Sequence, residues 1–481
     1  MTKRPLTLLL PLLMRTSARK NGHPWPRFSI LALLLAFATV PAARAENLMD
    51  AYRAARNSDP VLLQADASRR AVAENVDQAR AVLLPQINAS GNFSEDHGIS
   101  TSNQPVKTGN GFQVFSTRST STTRNFNKQA TLDQTLFDFG KFASLRASHA
   151  QAASGEAQYA AAEQDLILRT ATAYFNLLTA EDELRFAKAN EQALAKQEDQ
   201  AQQRFNVGLS AITDVDAAKA QHDAAAASVI QAQNVVFDDR EALSQITGQP
   251  VGALDKLTDN LPLDKPQPDA IDAWVDLAVR SNPTLQAQRD QVDAFDHEIN
   301  VARAGHLPTL SAQVSYTDSP AYGDQRSTTL PGTVHFDSGR NDTIVGLVLQ
   351  VPIFSGGLVQ SRVRQSIAQR DQQSDLFEQD RRTVVRNTRS AFNAIEAGIS
   401  EVEAQRQAVT SAQKALEATQ AGFEVGTRTI VDVLISQQTL FQAQSNYSQA
   451  RHAFVINQLT LKGSAGTLDV KDLEAVNGLL Q

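Results

Sequence analysis

Short stretches of alternating polarity and two very long helical stretches divide this chain. Ile87, Ala89, Gly91 and Phe93 alternate with Asn88, Ser90, Asn92 and Ser94, the period of a strand with one apolar and one wet face. A partner strand is predicted over about 126–136, with Ala130, Leu132 and Leu136 on one side and Asn127, Gln129, Thr131, Asp133 and Thr135 on the other. Later, Leu310, Ala312, Val314 and Tyr316 oppose Ser311, Gln313, Ser315 and Thr317, and a fourth strand over 343–351 is apolar on both faces. The connections 95–125 and 318–342 are full of Ser, Thr, Asn and Gly and are expected to be exposed loops.

Helical signals surround these strands. Between Pro60 and Pro85 the chain is rich in Ala, Gln, Glu and Arg, and Pro85 ends the helix. From Gly140 to Phe205 there are 66 residues without proline, enough for a helix of about 100 Å. Gly357 to Phe423 also lacks proline. Leu166, Ala173, Ala180, Ala187, Leu194 and Ala201 recur every seven residues in the first, and Val385, Phe392 and Ile399 run beside Ile395, Val402, Val409 and Leu416 in the second. The remaining surface is rich in Gln, Glu, Ala and Arg, which suits water on one side and neighbouring helices on the flanks.

The plan occurs twice. Arg204-Phe205-Asn206-Val207-Gly208-Leu209-Ser210-Ala211-Ile212-Thr213-Asp214-Val215 reappears 218 positions later as Gly422-Phe423-Glu424-Val425-Gly426-Thr427-Arg428-Thr429-Ile430-Val431-Asp432-Val433. Each copy has one Gly where two helices reverse, followed by a polar residue and an acid suited to capping the next helix. Ser58-Asp59-Pro60 and Pro85 likewise match Ser281-Asn282-Pro283 and Pro308 at an offset of 223. The expected organisation is an export signal at 1–45, repeats at 46–265 and 266–465, and a tail at 466–481. Each repeat reads helix, strand, long connection, strand, very long helix, tip turn and returning helix.

The signal is predicted from Arg15, Arg19, Lys20 and Arg27, the apolar run Ile30 to Val40, and the small-x-small site Ala43-Arg44-Ala45. Removing residues 1–45 takes away seven Lys or Arg and no acid, leaving 38 basic against 52 acidic residues. That balance argues against nucleic acid as a partner. Absence of Cys excludes disulfides, thiolate metal sites and a lipidated N-terminal Cys. The eight His are scattered without ligand spacing, so neither a metal, a cofactor nor an enzyme is expected.

After residue 45 no uncharged apolar run is long enough to span a bilayer as a helix, so any crossing must be a closed β-barrel. Four strands cannot close, because such barrels begin at about eight. The chain is therefore expected to oligomerise, two copies giving eight strands and three giving twelve. Duplicated reversal tips below a barrel point to a conduit. A trimeric coiled-coil surface adhesin or structural envelope protein is the alternative, although it would need neither strands split between two halves nor duplicated tips.

The motifs at 204–215 and 425–434, with Ile456-Asn457-Gln458-Leu459 and Gly466-Thr467-Leu468, strongly resemble the TolC family of outer-membrane factors over the chain from about Glu46 to its end. The resemblance implies an α+β membrane protein: a homotrimer in which four strands per chain build one transmembrane β-barrel, continuous with a long α-helical coiled-coil barrel. It implies an exit duct for drug efflux or type I secretion in a Gram-negative outer membrane. Its partners would be outer-membrane lipid, a periplasmic adaptor and an inner-membrane transporter of ABC, RND or MFS type. Because the chain has no G-x-x-x-x-G-K-[ST] motif, energy would come from that transporter.

By the same resemblance, Val207, Gly208, Leu209, Val425, Gly426 and Thr427 are the tips that engage the adaptor, with turn geometry as their plain alternative role. Thr213, Asp214 and Arg428 correspond to polar links that hold the periplasmic entrance shut; for Asp214 the alternative is a solvated first-turn acid. Asp432 corresponds to an acid lining the constriction, against which stands a capping-box-like pair with Thr429. Two positions depart from the family pattern. Phe423 replaces a common Tyr and has no hydroxyl for the partner of Asp214, and Ile435 replaces a second acid. A missing gate link and a single-layer acidic ring are expected.

Overall fold

The structure, a computed structural model, describes residues 46–109, 111–329 and 332–481. The expected export signal at 1–45 lies outside the described residues. Helix α1 (Leu48–Ser58) is capped by Asn47, whose side chain accepts from the Asp50 N–H, and gives way at Asp59-Pro60 to α2 (Pro60–Ala81). Asp59 caps α2 by accepting from Leu62 N–H at 3.0 Å, and Pro60 occupies the first turn, where its missing N–H costs nothing. The same joint recurs at Asn282-Pro283 between α5 (Ile271–Ser281) and α6 (Pro283–Ala304), where Asn282 accepts from Thr284 and Leu285 N–H.

Strand β1 (Gln86–Thr108) pairs antiparallel with β2 (Gly111–Phe137) without interruption from Gln86↔Asp133 to Thr108↔Gly111. The expected loop 95–125 is instead a continuous hairpin. Most of its described residues are exposed, on both faces, so a closed hydrogen-bond ladder of Ser- and Thr-rich strands forms without the apolar alternation that would announce it. The stretch 318–342 is corrected likewise. There β4 (Ala321–Ser327) pairs with β5 (Thr333–Ser338) and lies along β2 from Asn125 to Ser119. Below this extension, β3 (Thr309–Asp318) joins β2, and β6 (Asn341–Gln350) joins β3. The lower ladder is therefore four strands in the order β1–β2–β3–β6. The ten residues each of β3 and β6 match the roughly 9–11 that a tilted strand needs to cross a bilayer. Ile344, Val345, Leu347 and Leu349 of β6 are all exposed, so apolar surface stands outward on both sides of that strand. Among the described residues no helix is long and apolar enough to cross a membrane.

Asp138 caps the start of α3 (Phe139–Asn206), 68 residues long, which returns as α4 (Ile212–Thr247). Correspondingly, α7 (Leu358–Glu424) spans 67 residues and returns as α8 (Ile430–Ser464). The shorter helices α2 and α6 accompany the upper parts of α3 and α7, and α4 and α8 the lower parts. The seven-residue seam faces inward: Leu166, Ala180, Leu194 and Ala201 are buried, as are Phe392, Ile395, Val402 and Leu416.

A belt around the middle of the helices carries the largest core. Leu48 and Tyr52 of α1, Leu166, Tyr174, Phe175 and Leu177 of α3, Leu243 of α4, Val455 and Leu459 of α8, and Leu473 of α9 (Val470–Asn477) meet there. The buried Tyr174 hydroxyl lies 3.0 Å from the carbonyls of both Glu46 and Asp255, tying the first described residue and the 248–270 connection to α3. A single bridge pairs Leu257 with Leu480, drawing the chain end into the same belt.

One buried charge is decisive for the joint between α1 and α2. The Asp59 side chain is 3% exposed and meets Arg169 of α3 at 2.8 Å. Burial opposes its ionisation, but the Arg169 guanidinium and the backbone N–H groups of Leu62 and Val61 outweigh burial and hold the carboxyl below its ordinary range. A depressed folded pKa contributes stability above the unfolded value, about 4, that is lost as pH falls through the folded one. Arg169→Gln should cost about 2 kcal/mol in denaturant unfolding of the detergent-solubilised protein, less than the roughly 3–5 of a fully buried pair because Arg169 is partly solvated. The deficit should shrink as pH is lowered below about 4; a deficit independent of pH would contradict the assignment.

Candidate functional site at the hairpin tips

Both long helices end in the same hydrogen-bonded device. At the first tip, Leu209 N–H donates to Arg204 O at 2.8 Å and Gly208 N–H to Phe205 O at 2.9 Å. At the second, Thr427 N–H donates to Gly422 O at 2.8 Å and Gly426 N–H to Phe423 O at 3.1 Å. These are paired Schellman motifs, and each puts its glycine in the left-handed region, at φ 78° for both Gly208 and Gly426. The apolar residues beside them stand largely in the open: Val207 and Leu209 are each 69% exposed and Val425 is 75% exposed.

The helix starts beyond the tips differ. Helix α8 opens on a capping box in which Asp432 N–H donates to Thr429 Oγ1 at 3.2 Å and Thr429 N–H donates to Asp432 Oδ2 at 3.0 Å. The Thr429 hydroxyl donates to the same carboxylate oxygen at 2.9 Å. Thr429, through its N–H and hydroxyl, holds the Asp432 carboxyl below its ordinary range, and the Arg428 charge adds to this. The cap expected at the first tip is not made. Ala211 precedes α4 and has no side-chain acceptor, while the Ser210 hydroxyl donates to Asp214 Oδ2 at 2.6 Å. Ser210 is thus used to orient the acid and not to satisfy a first-turn N–H.

Thr213 is exposed and Asp214 half-buried. Arg428 is exposed, and among the described residues it forms no ion pair within the chain; Asp214 and Arg428 are not joined. The stem of Arg428 is nevertheless placed. A Cβ at Gly422 would come within 2.7 Å of Arg428 Cγ, so the absence of a side chain at Gly422 lets Arg428 lie over the last turn of α7. Sequence reasoning missed Gly422 and its counterpart Arg204, which occupy the same place in the duplicated motif and differ most. The Arg204 guanidinium lies 4.9 Å from the centroid of the Phe423 ring, so the two tips of one chain touch through it. Ile435 follows Asp432 on the next turn and is 58% exposed. Among the described residues no cluster of three or more His, Asp or Glu has metal-ligand geometry.

The outer membrane efflux protein profile matches residues 51–249 and again 274–467. Outer membrane protein TolC of Escherichia coli K12 is 38% identical over 441 residues, 91% of this chain and 86% of that protein. The proteases secretion protein PrtF of Dickeya chrysanthemi is 27% identical over 90% of both chains. Among solved structures, the CusC channel aligns with a TM-score of 0.70 over 88% of this chain and 92% of its own at 18% identity. The open-state MtrE outer membrane channel of Neisseria gonorrhoeae aligns at 0.66, over 88% of this chain and 90% of its own, with 19% identity.

Because the two glycines hold left-handed backbone in open space, Gly208→Ala and Gly426→Ala should each cost about 1 kcal/mol locally. Thr429→Ala, which removes the cap acceptor, should cost a similar amount, about 1 kcal/mol. Native-state hydrogen exchange should show faster exchange confined to the mutated tip; protection lost along the whole of α7 and α8 would contradict so local a role.

Proposed function

The chain belongs to the outer membrane efflux protein family, and from that membership we infer that it is the outer-membrane exit duct of a Gram-negative efflux or type I secretion system, extending into the periplasm. The observation that carries this reading is the junction of a four-strand ladder, with strands of bilayer-crossing length, directly to helices of 68 and 67 residues that reverse at matched tips. A ladder of four strands leaves β1 and β6 as its outer members, and three copies would close twelve strands into one barrel. The helical hairpins of the three chains would continue that barrel as a tunnel. We assign the exposed tip residues Val207, Gly208, Leu209, Val425, Gly426 and Thr427 to contact with a periplasmic adaptor. That adaptor would in turn couple the duct to an energised inner-membrane transporter.

In this reading Thr213, Asp214, Arg428 and Asp432 control the periplasmic entrance. Arg428 makes no direct ion pair in its own chain among the described residues, and its charge acts on Asp432 only from a distance, which favours a partner across a subunit boundary. Asp432 keeps its capping hydrogen bonds on Oδ2, which leaves Oδ1 available for a cation in the proposed tunnel. Capping and cation attraction are therefore compatible in one carboxylate. With Ile435 one turn on, the acid ring has a single layer. Opening would need an adaptor that binds the parted tips more tightly than the closed ones, since only differential affinity shifts such an equilibrium.

Planar-bilayer recordings of the purified mature protein test the assignment. Wild type should show small conductance, and Arg428→Ser should raise it several-fold. Gly422→Ala, which forces the Arg428 stem aside, should raise it in the same direction. Asp432→Asn should reduce cation preference, and block by multivalent cations should be weaker than in a relative with two acidic layers. Absence of current from every variant after confirmed insertion would favour a non-conducting trimeric stalk.

A further inference from the structure

Arg204 and Phe423 sit in the last turns of α3 and α7, at the ends of the two hairpins of one chain. Phe423 packs at once against two apolar clusters, one that joins Ala201 of α3 and Val215 of α4 to Ile430 of α8 and one built on α7 and α8 around Leu416 and Val433, so its ring is held where the hairpins meet. The backbone of both partners is fixed by the Schellman motifs, since the Arg204 carbonyl accepts from Leu209 and the Phe423 carbonyl from Gly426. The guanidinium then lies over the ring at 4.9 Å, inside the roughly 6 Å within which a cation is drawn to an aromatic face.

What surrounds this contact gives it weight. Ser448 and Asp182 hydrogen-bond across the hairpins far above the tips. Below that level, among the described residues, no hydrogen bond or ion pair joins the α3–α4 hairpin to the α7–α8 hairpin. Asp214 is satisfied by Ser210, His222 by Glu191 and Glu198 of its own hairpin, and Asp432 by Thr429. Apart from apolar packing, the Arg204–Phe423 stack is thus, among the described residues, the one contact of a charged side chain that joins the two hairpins at this end.

We propose that Arg204 stacked on Phe423 is a latch that holds the two hairpins of each chain together at the entrance, and that opening requires the stack to part. This rests on the gated-duct reading above. Loss of the aromatic hydroxyl does not leave the tips unlinked, because the ring face takes over with a different chemistry. Such a latch needs a flat, weakly hydrated cation, so Lys should replace Arg204 poorly, whereas Tyr should replace Phe423 without loss.

The test uses full-length mature trimers whose assembly is verified before recording. Arg204→Gln and Phe423→Leu should each raise open probability several-fold. The double variant should do no more than either alone, Arg204→Lys should resemble Arg204→Gln, and Phe423→Tyr should stay closed. Additive single effects, or a Phe423→Leu protein as closed as wild type, would overturn the latch. A second readout does not depend on current. The chain has no Cys of its own, so spin labels placed through Asn206→Cys and Glu424→Cys report the tip separation in labelled chains diluted into unlabelled ones. Arg204→Gln should widen that separation. Widening without current in any variant would refute the duct and keep the latch; unchanged separation alongside current in Arg428→Ser would do the reverse.

Discussion

A helix of 68 residues is stable only if its apolar residues find partners along its whole length, and that requirement shapes the rest of this protein. Leu166, Ala180, Leu194 and Ala201 lie buried along α3, and α4, with 36 residues, is too short to accompany all 68 residues of that helix. The chain meets the need with shorter helices, α2 and α6 that follow the Asp59-Pro60 and Asn282-Pro283 joints, with α6 lying against both long helices, and α4 and α8 that return from the tips. Duplication supplies the second set. The belt around Tyr174 then fastens the places where these helices begin and end.

At the tips the same backbone solution serves two different surroundings. Both copies reverse through a left-handed glycine with the same pair of hydrogen bonds, which determines where the following side chains project. The side-chain chemistry has diverged on that common frame. One copy keeps a capping box that lowers the proton affinity of Asp432, while the other leaves α4 uncapped and turns Ser210 toward Asp214. Gly422 leaves room for the Arg428 stem where Arg204 instead reaches across to the neighbouring hairpin. Small residue differences at equivalent places thus give one tip an outward-facing cation and the other an intrachain contact.

The sheet shows why polarity patterns have limits. Strands with one apolar side, such as β3, announce themselves by alternation. The outer parts of β1 and β2 are wet on both faces and present no such period, yet the ladder from Glu95↔Arg124 to Thr108↔Gly111 is complete. Hydrogen bonding between backbones is blind to side-chain polarity, so a two-sided polar hairpin reads as a loop.

From the sequence alone came the long helices, their seams, the duplicated reversals and the four-strand plan, because periodicity, proline position and glycine placement are local signals with direct backbone consequences. The resemblance carried by the tip motifs led to the family, since those motifs extend well beyond what a turn requires. The capping box that Asp432 makes with Thr429, the diversion of Ser210 and the stacking of Arg204 on Phe423 were decided only by tertiary structure. Each depends on the distance between side chains that local pattern does not bring together: across a turn for the first two, and for Arg204 and Phe423 across more than two hundred residues of chain that packing of the hairpins reduces to 4.9 Å.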